Sequence, residues 1–443
     1  LREAMWKGYT SLASTGDTNN IPVIEKIIKL RAEKARLMGF DNFAQMMTSR
    51  VMAGTPEAAE DLLMKVYEPA KAKVKEEVAD MQAYVDKTGG GFKIAPWDYY
   101  YYSGKVKNDK FGFSETELQP YFELSNVLNG LRYCADKLYG IKFVEMPDAP
   151  KYMDQVTVYD IQDKNGKHVS VFMTDYFPRD TKVQGAWMEQ LQSAGLYGDG
   201  TMKRPIVYNV GNFTPPTAET PSLLTLDEVE TTFHEFGHAL QGMLTQAPYR
   251  SLAGTNVDRD YVELCSQITE HWATAPEVLK VYAKHYKTGE VISDEMIEKM
   301  QGAGNFGQGF TATELAASAL LDLAWGRCDG ENVDVANFEN NFAKQIGLPS
   351  ELTFRYRSPY FKHIFGDDGY ASGYYTYLWA QVLDADGWEL FEKKGIFDPK
   401  TAASFRKHIL ESGDTEDPMT LFVKFRGHKP DPSALLRLRG LAD

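Results

Sequence analysis

Eight histidines occur in 443 residues, yet two of them stand four positions apart in the stretch TTFHEFGHALQG, residues 231–242. On an α-helix a four-residue step turns only about 40° and rises about 6 Å, so His234 and His238 share one face. Two neutral imidazoles so placed can each ligate one zinc ion at about 2.0–2.1 Å. Glu235, beside the first of them, is placed to bond a water on that ion and take its proton, which is the H-E-x-x-H arrangement of zinc peptidases. The alternative is an accident of composition, which would crowd two histidines and a carboxylate together with no benefit.

A peptidase of this kind needs a third protein ligand and one position left for water. The stretch GTNVDRDYVELCSQITEHW offers Glu263 and Glu270, seven residues apart and so two turns along one face of a helix. One can ligate while the other orients a ligand histidine. Spacing does not say which, and either could be a solvated helical glutamate. Glu230, one turn before His234, is another candidate for orienting it. Further on, GDDGYASGYYTYLW puts Tyr370, Tyr374 and Tyr377 at i, i+4 and i+7. Spacing alone favours a packed aromatic stripe with hydroxyls at its rim.

These residues need elements to hold them. Thr225 followed by Glu228 is a capping-box signature, so a helix is expected to begin about nine residues before His234. Residues 1–140 read as helical: VIEKIIKLRAEKARLMGF has helical spacing, and Thr55-Pro56 opens a long charged segment ended by TGGG. PWDYYYYSGKVK reads as an aromatic lead into the next helix. Residues 141–215 carry a small β-region. VTVYDIQ and VSVFMTDYF flank an Asn165-Gly166 turn, and RPIVYNVGNF is a third strand. That last strand would offer a peptide backbone a pairing edge if its side lay open. Residues 216–443 are helical again. The expected fold is mainly α with a small β-sheet subregion, in one composite catalytic domain.

Three separated motifs now carry a resemblance. FHEFGH, GTNVDRDYVELCSQITEHW and YRSPYFKHIFGDDGYASGYYTYLW, in that order, resemble the thimet-oligopeptidase family of zinc metallopeptidases. The nearest likeness within it is to the bacterial peptidyl-dipeptidases, or dipeptidyl carboxypeptidases. LQPYFELSNVLNGL, DYFPRDTKVQGAWM and PIVYNVGNFTPP are family-like too, so the resemblance covers essentially the whole chain. It implies a two-lobed helical protein with a deep substrate channel and one zinc ion on its floor. It also implies that Glu263 is the third ligand, leaving Glu270 to orient a ligand. Residues matching Tyr370, Tyr377 and His363 would line the site, with Tyr374 beside them, and Tyr377 would share the developing oxyanion. Glycines before Tyr370 would let the loop close on bound peptide.

The chain departs from the pattern in places. IFGDDG is longer than the family's usual glycine-rich version and carries two acids. Gln241 stands where a further histidine is common, and Cys265 replaces a usual proline beside Glu263. The family's additional N-terminal helical region is expected to be absent from this chain, which opens LREAMWKGYT without an initiator methionine, so that part of the channel wall would be missing.

The formal charge of −14 argues against nucleic acid or an anionic membrane as main partner. With 43% hydrophobic residues and no apolar run near ~18 residues, a large water-facing enzyme is expected. Cys134, Cys265 and Cys328 are odd in number and scattered, which fits a reducing, cytoplasmic setting. The expected activity is zinc-dependent hydrolysis of short peptides by a monomer, with C-terminal dipeptides released. An oligopeptide endopeptidase is the alternative, and a peptide-binding zinc protein without catalysis is the rival from another class. Arg355, Arg357, Tyr370 and Tyr374 are candidates for holding a substrate's free carboxylate.

Overall fold

The computed structural model describes residues 1–112 and 115–442. α1 (Ile21–Leu37) buries Ile24, Ile28, Ala32 and Ala35 along one stripe. α2 (Pro56–Lys87) starts where the Thr55 hydroxyl accepts the Ala58 amide hydrogen and Pro56 sits in the first turn. Its apolar stripe runs from Ala59 to Val85, and the charged residues expected to face water do so, apart from Glu77. α3 (Tyr99–Phe111) is a helix in its own right rather than a lead into the next one, α4 (Leu124–Tyr139). The reason is local: Tyr99 stacks on Phe310 at 4.2 Å and donates its hydroxyl hydrogen to Glu77 at 2.6 Å, so the aromatics are anchored where they stand.

The expected small sheet is present. Its strands are β1 (Lys142–Glu145), β2 (Thr157–Gln162), β3 (His168–Asp175), β4 (Trp187–Gln192) and β5 (Ile206–Val210), in spatial order β1-β2-β3-β5-β4. β3 and β5 run parallel and the other neighbours antiparallel. The β2–β3 hairpin turns at Asn165-Gly166, closed by the Asp163 amide bonding to the Lys167 carbonyl. β5, from the RPIVYNVGNF stretch, is paired on both sides, so its backbone is not available to a peptide. The edges of this sheet are β1 and β4. Both escape a reading of the sequence, being short and, in β4, without a regular apolar–polar alternation.

Four helices follow that matter for function: α5 (Leu226–Leu244), α6 (Arg259–Thr274), α7 (Gln308–Arg327) and α8 (Thr376–Lys394). α5 begins at the expected capping box. The Thr225 hydroxyl accepts the Glu228 amide hydrogen and the Glu228 carboxylate accepts that of Thr225. Its apolar face lies on the sheet, with Phe236 against Phe143 and Phe172 at 5.9 Å each. α7 is buried almost all round and packs along α2. Gly307, at its start, has no side chain to cap it, and Glu77 of α2 does so instead: its two oxygens accept the Gly309 and Phe310 amide hydrogens at 2.8 and 3.0 Å.

The molecule is mainly helical with a small β-region, as the sequence suggests; beside the five-stranded sheet, Gly195–Leu196 and Met202–Lys203 pair as a two-stranded one. It forms two compact units that interleave in sequence. One comprises Leu1–Gly112, Gln301–Val382 and Pro432–Asp443; the other comprises Phe113–Met300 and Leu383–Asp431. α5, α6 and the sheet belong to the second unit, and α1, α2, α3 and α7 to the first. No described helix is long and apolar enough to cross a membrane.

Candidate metal centre and tyrosine cluster

α5 and α6 lie against each other along much of their length. What lets them approach is Gly237, in the middle of the HEFGH run. A Cβ at that position would stand 2.3 Å from the Cys265 carbonyl oxygen and 2.6 Å from the Ser266 Cα, both backbone atoms of α6. Only a hydrogen fits there. This contact sets Glu263 opposite the two histidines. Glu263 Oε2 lies 3.3 Å from His234 Nε2 and 3.2 Å from His238 Nε2. The rings of His234 and His238 stand 5.1 Å apart and nearly perpendicular. Ligand atoms at about 2.0–2.1 Å from a common tetrahedral ion would lie about 3.3 Å from one another, so the spacing suits a metal.

The proton positions strengthen the fit. His234 Nδ1 lies 2.6 Å from Glu270 Oε1, which makes that nitrogen the N–H donor and turns the lone pair of Nε2 towards Glu263. A lone pair facing a carboxylate oxygen needs a cation between them, either a proton or a metal ion. Burial works against charge on His234, yet its bonds with Glu263 and Glu270 raise it well above the usual histidine range. Glu263 shows the converse. Burial alone would raise its carboxyl, but the two imidazoles hold it far below the usual carboxylate range. Both shifts describe a site built around positive charge. Among the described residues these three form the one His/Cys/Asp/Glu group spaced to hold an ion.

Glu235 is 7% exposed, and its Oε2 has no hydrogen-bonding partner among the described residues. Burial raises its carboxyl above the usual range, although the charge of the neighbouring imidazoles pulls it down. An unpartnered buried carboxylate oxygen beside a metal cradle is placed to handle a proton. His238 Nδ1 is likewise buried without a partner among the described residues. Glu230 lies within electrostatic reach of Tyr282. Gln241 is fully buried on α5. Cys265 is fully buried as well, and burial raises its thiol, so it is an inert packing residue.

In the other unit, the tyrosines and His363 come together. The Tyr370 and Tyr377 rings stack at 5.4 Å and 12°, and Tyr374 meets Tyr377 edge-on at 5.3 Å. His363 stands 5.9, 5.3 and 6.4 Å from Tyr370, Tyr374 and Tyr377. Burial lowers His363, with Arg355 and Lys362 acting in the same sense, so its imidazole is neutral near pH 7. The expected helical i, i+4, i+7 row is not how they meet. α8 begins only at Thr376, and residues 370–375 are a succession of turns. Of the two arginines considered for a free carboxylate, Arg357 is committed to buried Glu339 at 2.6 Å, which also accepts the Ser358 amide hydrogen. Arg355 is exposed and lies 5.6 Å over the Tyr356 ring.

Two side chains escape a reading of motifs. Asp322 is 2% exposed within α7 and receives two amide hydrogens from the tyrosine segment. Asp384 bonds His271 at 2.6 Å, and His271 stacks on Trp388 at 4.7 Å. A lone acid inside an apolar run, as in AASALLDLAW, is the signal that could have drawn attention to Asp322.

The model of peptidase family M3 matches residues 1–441. A dipeptidyl carboxypeptidase of Escherichia coli (strain K12) is 41% identical, over 99% of this chain and 65% of that protein. Oligopeptidase A of Salmonella typhimurium is 36% identical, over 100% of this chain and 66% of that protein. The chain thus spans about 65% of the length of such relatives. Among solved structures, a Pyrococcus furiosus carboxypeptidase is similar at TM-score 0.53, with 14% identity, 99% of this chain and 79% of that chain covered. The M32 carboxypeptidase from Deinococcus radiodurans R1 is similar at TM-score 0.53, with 15% identity, 99% and 78% covered. Those two likenesses are of fold alone. A family model matched from Leu1 almost to the last residue, together with relatives that share more than a third of its residues, shows that the chain belongs to peptidase family M3.

Proposed function

We propose that this chain hydrolyses peptide bonds of short peptides as a zinc enzyme and releases dipeptides from free C-termini. The observation that carries the reading is the cradle of His234, His238 and Glu263 with an unpartnered, buried Glu235 oxygen beside it. A structural metal site has no use for such a base. A zinc ion held by those three residues would polarise a water and a peptide carbonyl. Glu235 accepts the water's proton at Oε2 and returns it to the leaving amine. Glu270 fixes the tautomer and orientation of His234. Tyr370, Tyr374, Tyr377 and His363 contact the peptide, with the Tyr377 hydroxyl donating to the developing oxyanion.

Release of dipeptides is supported by the relative named dipeptidyl carboxypeptidase and by an exposed cation, Arg355, that suits a terminal carboxylate. Internal cleavage of oligopeptides is the second reading, favoured by relatives named oligopeptidase A. The free thiols of Cys134, Cys265 and Cys328 support a reducing compartment.

The test uses a peptide with a free C-terminus, its amidated twin, and the zinc-loaded chain as wild type and Glu235→Gln. Dipeptide release from the free acid alone is expected, with kcat lower by roughly 10²–10⁴-fold in the variant at unchanged zinc content. Cleavage of both peptides would establish the second reading. Full activity in Glu235→Gln would overturn the assigned proton transfer.

A further inference from the structure

The tyrosine segment holds a conformation that its own sequence does not favour. Ser372 has φ +52°, in the left-handed region, and is 2% exposed with its hydroxyl lacking a partner among the described residues. A non-glycine residue is strained there and persists only where its surroundings fix it. What fixes it comes from one face of α7. Asp322 Oδ1 accepts the Ser372 amide hydrogen at 2.8 Å and Asp322 Oδ2 accepts that of Tyr374 at 2.9 Å. One turn further along α7, Gly326 leaves room for the Ser372 side chain, since a Cβ there would lie 1.9 Å from Ser372 Oγ. One turn before Asp322, the Ser318 hydroxyl accepts the Arg355 amide hydrogen at 3.2 Å.

Ser318, Asp322 and Gly326 are thus spaced i, i+4, i+8, and each engages the backbone or side chain of the segment that carries Arg355, His363 and the tyrosines. We propose that this face of α7, with Asp322 at its centre, is a socket that positions Tyr370, Tyr374 and Tyr377 for the reaction. Asp322 acts through them and does not touch substrate. The inference rests on the proposed role of the tyrosines in hydrolysis. Burial pushes the Asp322 carboxyl up to about 7 against the pull of the Tyr374 and Ser372 amide hydrogens. An acid kept inside an apolar helix at that cost is there for its two acceptor oxygens, which asparagine cannot supply.

The test compares the zinc-loaded full chain as wild type, Asp322→Asn, Tyr370→Phe, Tyr377→Phe and the double variant Asp322→Asn/Ser372→Gly. In Asp322→Asn, kcat is expected to fall roughly 10–100-fold with little change in KM, a loss typical of reacting groups displaced by about an ångström. Zinc content stays at the wild-type level, and hydrogen exchange at the Ser372 and Tyr374 amides quickens at least about 10-fold. Glycine at 372 relieves the strained turn, so the double variant recovers part of kcat, a rescue that a merely structural Asp322 would not show. Should Asp322→Asn fail to fold, Gly326→Ala presses on Ser372 from the same face and is read in the same way.

Unchanged kcat in a variant whose amides exchange faster would overturn the socket. So would a loss in Asp322→Asn that the tyrosine variants do not share, because Asp322 would then act elsewhere. If neither tyrosine variant loses activity, the proposed role of the tyrosines fails whatever the socket does. If they lose it and Asp322→Asn does not, the socket alone fails.

Discussion

In α5 and α6 the functional side chains project from unbroken helices that meet backbone to backbone at Gly237. In the tyrosine segment Tyr370 and Tyr374 project from turns and Tyr377 from the first turn of α8, and what fixes those turns comes from helices far away in sequence. His234, His238 and Glu263, the proposed metal ligands, owe their geometry to one interface in which even a methyl group at Gly237 would meet backbone. Tyr370, Tyr374 and Tyr377 owe theirs to several directed contacts: Asp322 at the C-terminal end of the loop, and Arg31 with Lys34 at its N-terminal end. A close-packed interface fails all at once, whereas a set of separate tethers can be loosened one at a time.

The largest expected effect follows at Gly237. A methyl group added there meets backbone atoms of α6, which no side-chain rotation can move aside. Gly237→Ala is expected to force the helices apart, at ~1–3 kcal/mol or more of stability, and to weaken zinc affinity by about 100-fold or more. Thermal unfolding and a zinc titration against a competing chelator check both. A variant with wild-type zinc affinity would show that the cradle tolerates movement between α5 and α6.

Glu270→Gln comes next in size. It keeps the shape of the residue but removes the charge that orients His234 through Nδ1. Zinc affinity is expected to fall 10–100-fold, the usual range for such a partner, with the fold intact. The chelator titration again decides. If affinity is unchanged, the burial of His234 among its neighbours suffices to orient it and Glu270 is a solvated helical glutamate.

How much of this was legible in the sequence follows from the same contrast. The α5 site is local: the capping box and the HEFGH spacing lie on one helix, so periodicity and residue type foretold them, whereas the close approach at Gly237 shows only in the fold. The partner helix was visible too, but spacing left Glu263 and Glu270 open and only the family resemblance pointed to Glu263. Both sit on one face, and only the approach of α6 to Gly237 decides which meets the imidazoles. In the tyrosine segment, the i, i+4, i+7 spacing suggested a helix that does not start until Thr376. Turns there are set by Asp322, fifty residues away in sequence, and nothing within GDDGYASGYY announces that partner. The edge strand β4 was missed for a related reason, since Trp187–Gln192 becomes a strand by pairing with β5 rather than by its own pattern.

The smallest effect is expected at the N-terminal tether, where the unusual acids of IFGDDG turn out to have partners. Asp368 bonds Arg31 at 3.0 Å and Lys34 at 2.7 Å, and Arg31 also donates to the Asp367 carbonyl at 2.9 Å. Burial acts to raise the Asp368 carboxyl, but Lys34 and Arg31 together hold it below the usual range. A depressed carboxyl stabilises the fold above its unfolded value and loses that contribution as pH falls through the lowered one. Asp368→Asn should therefore lower Tm by an amount that is flat between about pH 5 and 8 and narrows only in stronger acid. Because the pair is close to half-exposed, the difference corresponds to less than about 1 kcal/mol and shrinks with added salt. Scans of Tm against pH and salt for the two proteins measure it. A loss as large as that in Gly237→Ala, insensitive to salt, would mean that the loop too is held as one indivisible unit, and the contrast between the two regions would be lost.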